Sequence, residues 1–309
     1  MNPAFDDPAT YRDGLPPEAF TSAAFVKLEE ERVWPHSWVC IGASSQIPAA
    51  GDLLPFTIGV HGIHVQRTTD GGLVGRFNKA QHGGCHFIPV QCQTGRKTRC
   101  AFTSCGFSLD RDMIPGGMDG GDVPEMYQYL GMRPDRLGAV AVRTRGPLLF
   151  AAVDVPGELN ELPSLPGWAR SLGWQTVRAN WKLVAQSLGR HPGADLPVRN
   201  LVLLRERASS CAVILQPVAP TRTIARIVLL CEEPADDRME AQWRGTFADH
   251  ARQAEGRQAA GDADGPPKAP VVAAWQARLI GDLLLARPAR DRLPLATVYP
   301  VNHRFGFVA

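Results

Sequence analysis

The residues with the richest chemistry in this chain are cysteines and histidines crowded into one short stretch. Four of the seven cysteines lie between positions 85 and 105, and two histidines stand in or beside the same stretch. The six residues are His82, Cys85, His86, Cys92, Cys100 and Cys105. Thiolates and imidazoles are the usual ligands of zinc and of iron–sulfur clusters, so this stretch is the first candidate for a metal site.

A zinc site is one interpretation of the stretch. Zinc takes four Cys or His ligands in a tetrahedron, and two facing loops could supply them. The best candidates are His82, Cys85, His86 and Cys105. Their spacing matches no standard zinc pattern, however. The same residues are also explained as small buried side chains and loop residues, because free cysteine packs well in protein cores. We favour the second interpretation and keep the first as the alternative.

Other residues offer weaker chemical signals. His191 could be a remnant metal ligand or a general base, but a loop histidine without an identifiable partner is more often a surface or supporting residue. Tryptophans could form an aromatic cage for a quaternary ammonium ligand, although their places at the ends of elements favour packing. They are Trp34, Trp38, Trp168, Trp174 and Trp181. No serine or cysteine has an ordered base beside it, so nucleophilic catalysis has no support.

Length and composition limit what these residues can belong to. The 309 residues are 44% hydrophobic and 21% charged, which suits about two packed domains and excludes a disordered chain or a fibre. A net charge of +2 is too balanced to indicate a nucleic-acid or anionic-membrane surface. No apolar stretch matches a membrane helix, and the N-terminus lacks the pattern of a signal peptide. We therefore expect a cytoplasmic protein that binds neither nucleic acid nor membrane.

The elements that must position the candidate residues begin with a helix and a small β domain. Thr21-Ser22 can cap a helix whose apolar positions recur at helical spacing from Phe25 to Trp34. Short β-type runs follow, and Asp70-Gly71 between two of them predicts a hairpin. The predicted strands are 38–41, 53–56, 62–66, 73–77, 139–143 and 148–153.

The second half of the chain predicts a mixture of helices and strands. A proline-rich passage over 155–166 predicts a linker between domains. The elements predicted beyond it are a helix from Trp181 to Leu188, strands at 211–215 and 223–230, a helix at 239–252 and a helix at 271–285. A stretch rich in glycine, alanine, aspartate and proline predicts a mobile loop over 256–270.

The order of these features resembles the catalytic α subunit of Rieske non-haem iron oxygenases. The segments that carry the likeness are Phe20–Trp38, Gln46–Asp52, His64–Arg67, Asp70-Gly71, Phe77-Asn78, Gly106–Asp110 and Asn180–Val184. The resemblance implies an α+β chain in three parts. An N-terminal helix (1–37) packs on the C-terminal domain, a Rieske-like antiparallel β domain occupies 38–153, and a truncated helix-grip domain of the START or Bet v 1 kind occupies 154–309.

The same resemblance implies cluster ligands that this sequence has lost. Family members hold a [2Fe–2S] cluster through two cysteines and two histidines, arranged as Cys-x-His and Cys-x-x-His. The matching positions are Ala80 and His82 in the first motif, and Phe102 and Cys105 in the second. Only His82 keeps its type. Neither a methyl group nor a phenyl ring can hold iron, so no ordinary Rieske cluster is expected in this chain.

The mononuclear iron site of the family, built from two histidines and a carboxylate, is also expected to be lost. Depending on the register, the two histidine positions fall at Gly193 and Val198 or at Ala194 and Arg199. The acidic residue that precedes the first histidine in the family would be Arg190 or His191. Asp249 or Asp262 could supply a carboxylate, but one carboxylate is not a triad. Family α subunits are longer, and the missing length falls between His191 and Leu201.

These losses predict a pseudoenzyme, with no catalytic residue and no cofactor of its own. The resemblance implies ring-shaped trimers in which the cluster of one subunit passes electrons to the iron of its neighbour. A copy without metals could join a complete α subunit in a hetero-oligomer, where that subunit carries the [2Fe–2S] cluster and the non-haem Fe(II). It could also help to dock the ferredoxin or reductase. The alternatives are a metalloenzyme with a rebuilt Cys/His site and a small-molecule binding protein using the helix-grip cavity.

Overall fold

The structure is a computed structural model in which two compact units can be distinguished. Unit 1 consists of residues 1–46 and 143–287, and unit 2 consists of residues 47–142 and 288–309. The structure describes residues 3–59, 61–77, 139–154, 158–159, 162–206, 209–261 and 269–285. The predicted three-part division of the chain remains a proposal.

Every strand among the described residues has an antiparallel partner. The strands are β1 (Val39–Ala43), β2 (Leu53–Ile58), β3 (His61–Arg67), β4 (Leu73–Phe77), β5 (Ala139–Arg145), β6 (Leu148–Ala152), β7 (Trp168–Val177), β8 (Ala194–Val198), β9 (Leu201–Arg205), β10 (Ser210–Ala219) and β11 (Arg222–Cys231). The helices are α1 (Ala23–Arg32), α2 (Trp181–Leu188), α3 (Asp237–Ala260) and α4 (Pro270–Leu284).

Unit 2 contains an antiparallel meander that follows the predicted hairpin. Strands β2, β3 and β4 pair in chain order. The predicted turn at Asp70-Gly71 joins β3 to β4, and Gly71 adopts a φ of 83°, which favours glycine. The first residues of β5 extend the sheet next to β4. A Cβ at Gly75 would lie 2.4 Å from a methyl group of Val142, so this strand position has room only for glycine.

Unit 1 contains the β1–β6 pair and a five-stranded antiparallel sheet in the order β7-β11-β10-β9-β8. The central strands β10 and β11 are buried along most of their length, as expected for strands covered on both faces. The sequence analysis predicted these two strands but missed β7, β8 and β9. Strand β7 bulges at Gly173 and β8 contains Pro197, so neither shows an uninterrupted strand pattern.

Capping residues mark the start of α1 and the end of α3. The Ser22 hydroxyl accepts hydrogen bonds from the first N–H groups of α1, which confirms the predicted cap. Helix α3 is longer than predicted, because it continues through residues 256–260 and ends at Gly261 with a φ of 65°. The prediction of a mobile loop over 256–270 was therefore wrong for residues 256–260. None of the described helices is long and apolar enough to cross a membrane.

Candidate functional site

The Asn180-Trp181-Lys182 segment lies in the core of unit 1 and begins α2. All three side chains are buried. Asn180 Oδ1 accepts a hydrogen bond from the Lys182 N–H at 3.0 Å and so caps the helix. The Asn180 side-chain amide donates to the backbone carbonyls of Ala19, Phe20 and Pro220. This one side chain therefore ties the start of α2 to the segment before α1 and to the β10–β11 turn.

Lys182 forms a fully buried ion pair with Glu29. The Lys182 Nζ atom lies 2.7 Å from Glu29 Oε1, and each residue is at most 1% exposed. The indole N–H of Trp181 donates to the other carboxylate oxygen at 3.3 Å. Burial raises the pKa of Glu29 and lowers the pKa of Lys182, while the attraction between the two opposes both shifts. The pair joins α1 to α2, and both of its side chains are buried out of contact with water.

Aromatic rings surround the Lys182 ammonium group. Its nitrogen lies 5.1 Å from the ring centre of Trp181, 5.5 Å from that of Phe25 and 5.8 Å from that of Phe20. Trp181 also packs on Trp34 and Trp275, with ring centres 4.9 Å and 5.5 Å away. For Trp34 and Trp181 the packing interpretation is therefore confirmed, since the two rings pack on each other and the cation over the Trp181 ring is the chain's own lysine.

A second polar cluster lies where α2 ends. His191 Nε2 lies 3.8 Å from Glu206 Oε1, and the His191 ring centre lies 6.2 Å from that of His250 on α3. The Gly193 N–H donates to His191 Nδ1 at 3.2 Å, which leaves the ring proton on Nε2, facing Glu206. His250 Nδ1 lies 3.3 Å from the buried Ser187 hydroxyl. His191 therefore has the partners that the sequence did not reveal, and its side chain is only 13% exposed.

The turn and strand that follow His191 leave little room for side-chain chemistry. A Cβ at Gly193 would lie 2.1 Å from the carbonyl oxygen of Arg205, and the Arg205 N–H donates to the Gly193 carbonyl at 3.1 Å. Farther along, Ala194 pairs with Leu204 across the β8–β9 ladder. These backbone contacts hold the start of β8 directly against β9.

The end of β8 is also committed to structural contacts. Val198 is buried and pairs with Leu201. Arg199 Nε lies 2.6 Å from Asp282 Oδ2, and the Arg199 carbonyl accepts the indole N–H of Trp275 at 3.1 Å. This short segment therefore anchors α4 to the five-stranded sheet.

Known proteins share parts of this sequence. The chain is 25% identical over 185 residues to the glycine betaine monooxygenase oxygenase subunit of Chromohalobacter salexigens, a match that covers 56% of this chain and 40% of the relative. It is 25% identical over 143 residues to the biphenyl 2,3-dioxygenase subunit alpha of Rhodococcus jostii, covering 45% and 30% respectively. These matches span less than half the length of either relative. No family model matches the sequence.

Solved structures share the fold. The quaternary ammonium Rieske monooxygenase CntA, in complex with γ-butyrobetaine, superposes with a TM-score of 0.57 at 14% identity, over 91% of this chain and 99% of that one. Naphthalene 1,2-dioxygenase from Rhodococcus sp. gives a TM-score of 0.58 at 14% identity, over 89% and 95%. The chain is therefore similar to Rieske oxygenase α subunits in part of its sequence and in its fold. Its mixture of helices and antiparallel sheets matches the Rieske oxygenase fold.

The residues at the expected iron positions do not fit a mononuclear iron. Gly193 has no room for any side chain, and Val198 offers only a buried methyl surface. In the other register, Ala194 has no ligand atom and Arg199 is a cation already paired with Asp282. An iron at these four positions would therefore find no ligand atom among their side chains.

The remaining candidate residues for a metal site are either committed to other contacts or lie outside the described residues. Asp249 lies on an exposed part of α3, where it pairs with Arg252. Among the residues that the structure describes, no three Cys, His, Asp or Glu side chains are grouped to hold a metal ion. The predicted cluster and zinc candidates lie outside the described residues, as does Asp262, and remain predictions. They are Ala80, His82, Cys85, His86, Phe102 and Cys105.

His250 predicts a loss of stability in acid. Burial, followed by the nearby His191, lowers the pKa of His250 below its usual value of 6.5. The unfolded chain therefore takes up a proton at a higher pH than the folded chain does. We expect the free energy of unfolding to fall as the pH drops below 6.5, by at most about 1.4 kcal/mol per pH unit for this one proton.

Urea unfolding at several pH values between 5 and 7.5 would check this. The His250→Gln variant keeps a hydrogen-bonding group for Ser187 but takes up no proton, so its stability should depend less on pH over this range. An equal pH dependence in the wild type and the variant would contradict the assignment to His250.

Proposed function

We propose that this chain is a non-catalytic partner subunit of a heteromeric Rieske-type oxygenase. The observation that carries the proposal is the contact at Gly193, where an iron-ligand position of the family lies against the Arg205 backbone. A chain under selection to bind iron there would keep room for a histidine side chain. The Glu29–Lys182 pair and the Asn180 cap, by contrast, connect elements of the fold.

The proposal includes an architecture. The five-stranded sheet and the helices of unit 1 would form a truncated helix-grip domain, and residues 38–153 would form a Rieske-like domain without its cluster. Support comes from the pairing order of the strands and from the shared fold of CntA and naphthalene 1,2-dioxygenase.

The proposal also names partners and cofactors. This chain would carry neither a [2Fe–2S] cluster nor a mononuclear iron, and a complete α subunit in the same cytoplasmic complex would carry both. Several of the relatives are named as subunits, which supports a role in an assembly. A ferredoxin or reductase would contact the complex rather than this chain alone.

Metal analysis of the chain expressed alone and purified without oxygen tests the catalytic part of the proposal. We expect a colourless protein with well under one metal ion per chain and no substrate-coupled oxygen consumption. Iron with charge-transfer bands would overturn the proposal and make the chain an enzyme. Colourless protein with stoichiometric zinc would instead favour the rebuilt site at His82, Cys85, His86 and Cys105.

Co-expression with a complete α subunit from the same genome tests the partner role. We expect the two chains to elute together from size-exclusion chromatography at a fixed ratio. Separate elution of two well-folded chains would contradict the partner role. A small molecule retained through purification of this chain alone would point to the binding-protein alternative.

A further inference from the structure

A groove with a volume of about 1020 Å³ lies in unit 1. Its walls are the β10–β11 turn, the residue after β7 and the second half of α3. Three arginines line it, namely Arg178, Arg222 and Arg252, together with one acid, Glu255. The other lining residues are small or uncharged. The groove therefore concentrates positive charge on a chain whose net charge is only +2.

Hydrogen bonds between the walls hold the groove in shape. The Glu255 carboxylate accepts the backbone N–H of Arg178 at 2.8 Å, and Gln258 accepts the backbone N–H of Asn180 at 2.8 Å. The Asn180 side chain in turn donates to the Pro220 carbonyl of the β10–β11 turn at 2.7 Å. A ligand would thus meet walls that are already fixed, which lowers the entropy cost of binding.

The arginines are available to an anion to different degrees. The Arg178 guanidinium is 86% exposed, although its Nε atom lies 3.8 Å from Glu255. Arg252 pairs with Asp249 at the exposed surface. Arg222 is exposed, and its guanidinium forms no hydrogen bond or ion pair with the described part of the chain. A guanidinium presents two parallel N–H donors that match a carboxylate, so these side chains suit carboxylate ligands.

Gly256 leaves open space beside the backbone of α3 in this groove. A Cβ added there would meet no atom within 4 Å, so the helix could carry a side chain without strain. Glycine costs a helix roughly 1 kcal/mol relative to alanine, and the packing around this position does not require it. Because Gly256 has no side chain, the groove stays open at this position.

We propose that this groove binds a carboxylate-rich segment of a partner protein. Small-molecule sites are mostly enclosed and apolar, whereas this groove is lined by exposed arginines that remain in water. Such a surface resembles the polar part of a protein interface, where complementary charge sets specificity and the rate of association. The proposal rests on the groove alone and holds whether or not the chain is a non-catalytic subunit.

Fluorescence anisotropy with a labelled oligoglutamate peptide and the full chain tests the proposal. We expect binding that weakens as salt is added. The Arg222→Glu variant should bind the peptide at least about tenfold more weakly, because it replaces an attraction with a repulsion. The Gly256→Leu variant should also bind about tenfold more weakly, because it fills the groove without changing any charge.

A matched control separates the groove from general charge attraction. Gly245 also lies on α3, also has nothing within 4 Å of an added Cβ, and does not line the groove. Gly245→Leu should therefore bind like the wild type, and both leucine variants should fold at least as well as the wild type. Equal binding by Gly256→Leu and Gly245→Leu would overturn the proposal. Tighter binding of inorganic tripolyphosphate than of the peptide, lost in Gly256→Leu, would also overturn it in favour of a small-anion site.

Discussion

Replacing Lys182 with methionine is expected to destabilise the chain by about 3–5 kcal/mol, because it leaves Glu29 as a buried charge without its partner. Methionine has a similar length, so packing changes contribute less than the lost charge. The lone carboxyl can escape the penalty only by taking up a proton, which burial already favours. Urea unfolding with the free energy extrapolated to zero denaturant would measure the loss.

The pH dependence of this variant follows from the raised pKa of Glu29. A carboxyl group whose pKa is higher in the folded chain contributes most stability at low pH, and this contribution is lost as the pH rises through the folded pKa. The Lys182→Met variant should therefore be less destabilised near pH 5 than near pH 8. Equal destabilisation at both values would show that the loss comes from packing rather than from the buried charge.

Two further variants complete this test. The Glu29→Gln/Lys182→Met double variant removes both charges and keeps an acceptor for the Trp181 N–H, so it should recover most of the lost stability. The exposed pair formed by Arg205 and Asp195 is the control, since its closest atoms are 3.7 Å apart and both side chains are more than 40% exposed. Asp195→Asn should change the free energy of unfolding by less than about 1 kcal/mol.

The second large effect is expected at Gly193. Substitution by alanine places a methyl group 2.1 Å from the Arg205 carbonyl oxygen, a contact that neither strand can avoid without moving its backbone. We expect a loss of about 3 kcal/mol, at the upper end of overpacking effects, because the Arg205–Gly193 hydrogen bond is strained as well. Urea or thermal unfolding would measure it.

Gly167→Ala is the control for this position. Gly167 has no atom within 4 Å of an added Cβ, so the substitution should leave stability within about 1 kcal/mol of the wild type.

A Gly193→His variant tests whether this position can still bind iron. We expect it to be at least as unstable as Gly193→Ala and to bind no Fe(II). A stable Gly193→His variant with one tightly bound Fe(II) would show that this position can still serve a metal site.

The two proposals fail independently. A Rieske spectrum from the chain alone would remove the non-catalytic role but would leave the arginine groove intact. Conversely, insensitivity of peptide binding to Gly256→Leu would remove the groove as a binding site but would not bear on the metal content.

The sequence alone predicted the features that depend on neighbouring residues. The Ser22 cap, the Asp70-Gly71 hairpin and the two central strands of unit 1 all follow from short patterns, and the structure has each of them. The order of segments also indicated the likeness to Rieske oxygenase α subunits that the comparisons support. These features could be predicted because backbone preference and hydrophobic periodicity act over a few residues. The residue types at the [2Fe–2S] ligand positions also predicted, from short motifs alone, that the cluster ligands are lost.

Only the tertiary structure decided the contacts between distant parts of the chain. Glu29 and Lys182 are 153 positions apart, and neither spacing nor composition indicated that they would meet in the core. The sequence marked Gly193 only as an expected iron-ligand position, and its close approach to Arg205 became visible in the structure. The three groove arginines likewise lie in three separate parts of the chain. Such contacts follow from how elements pack, because burial and close approach depend on residues that the local sequence does not contain.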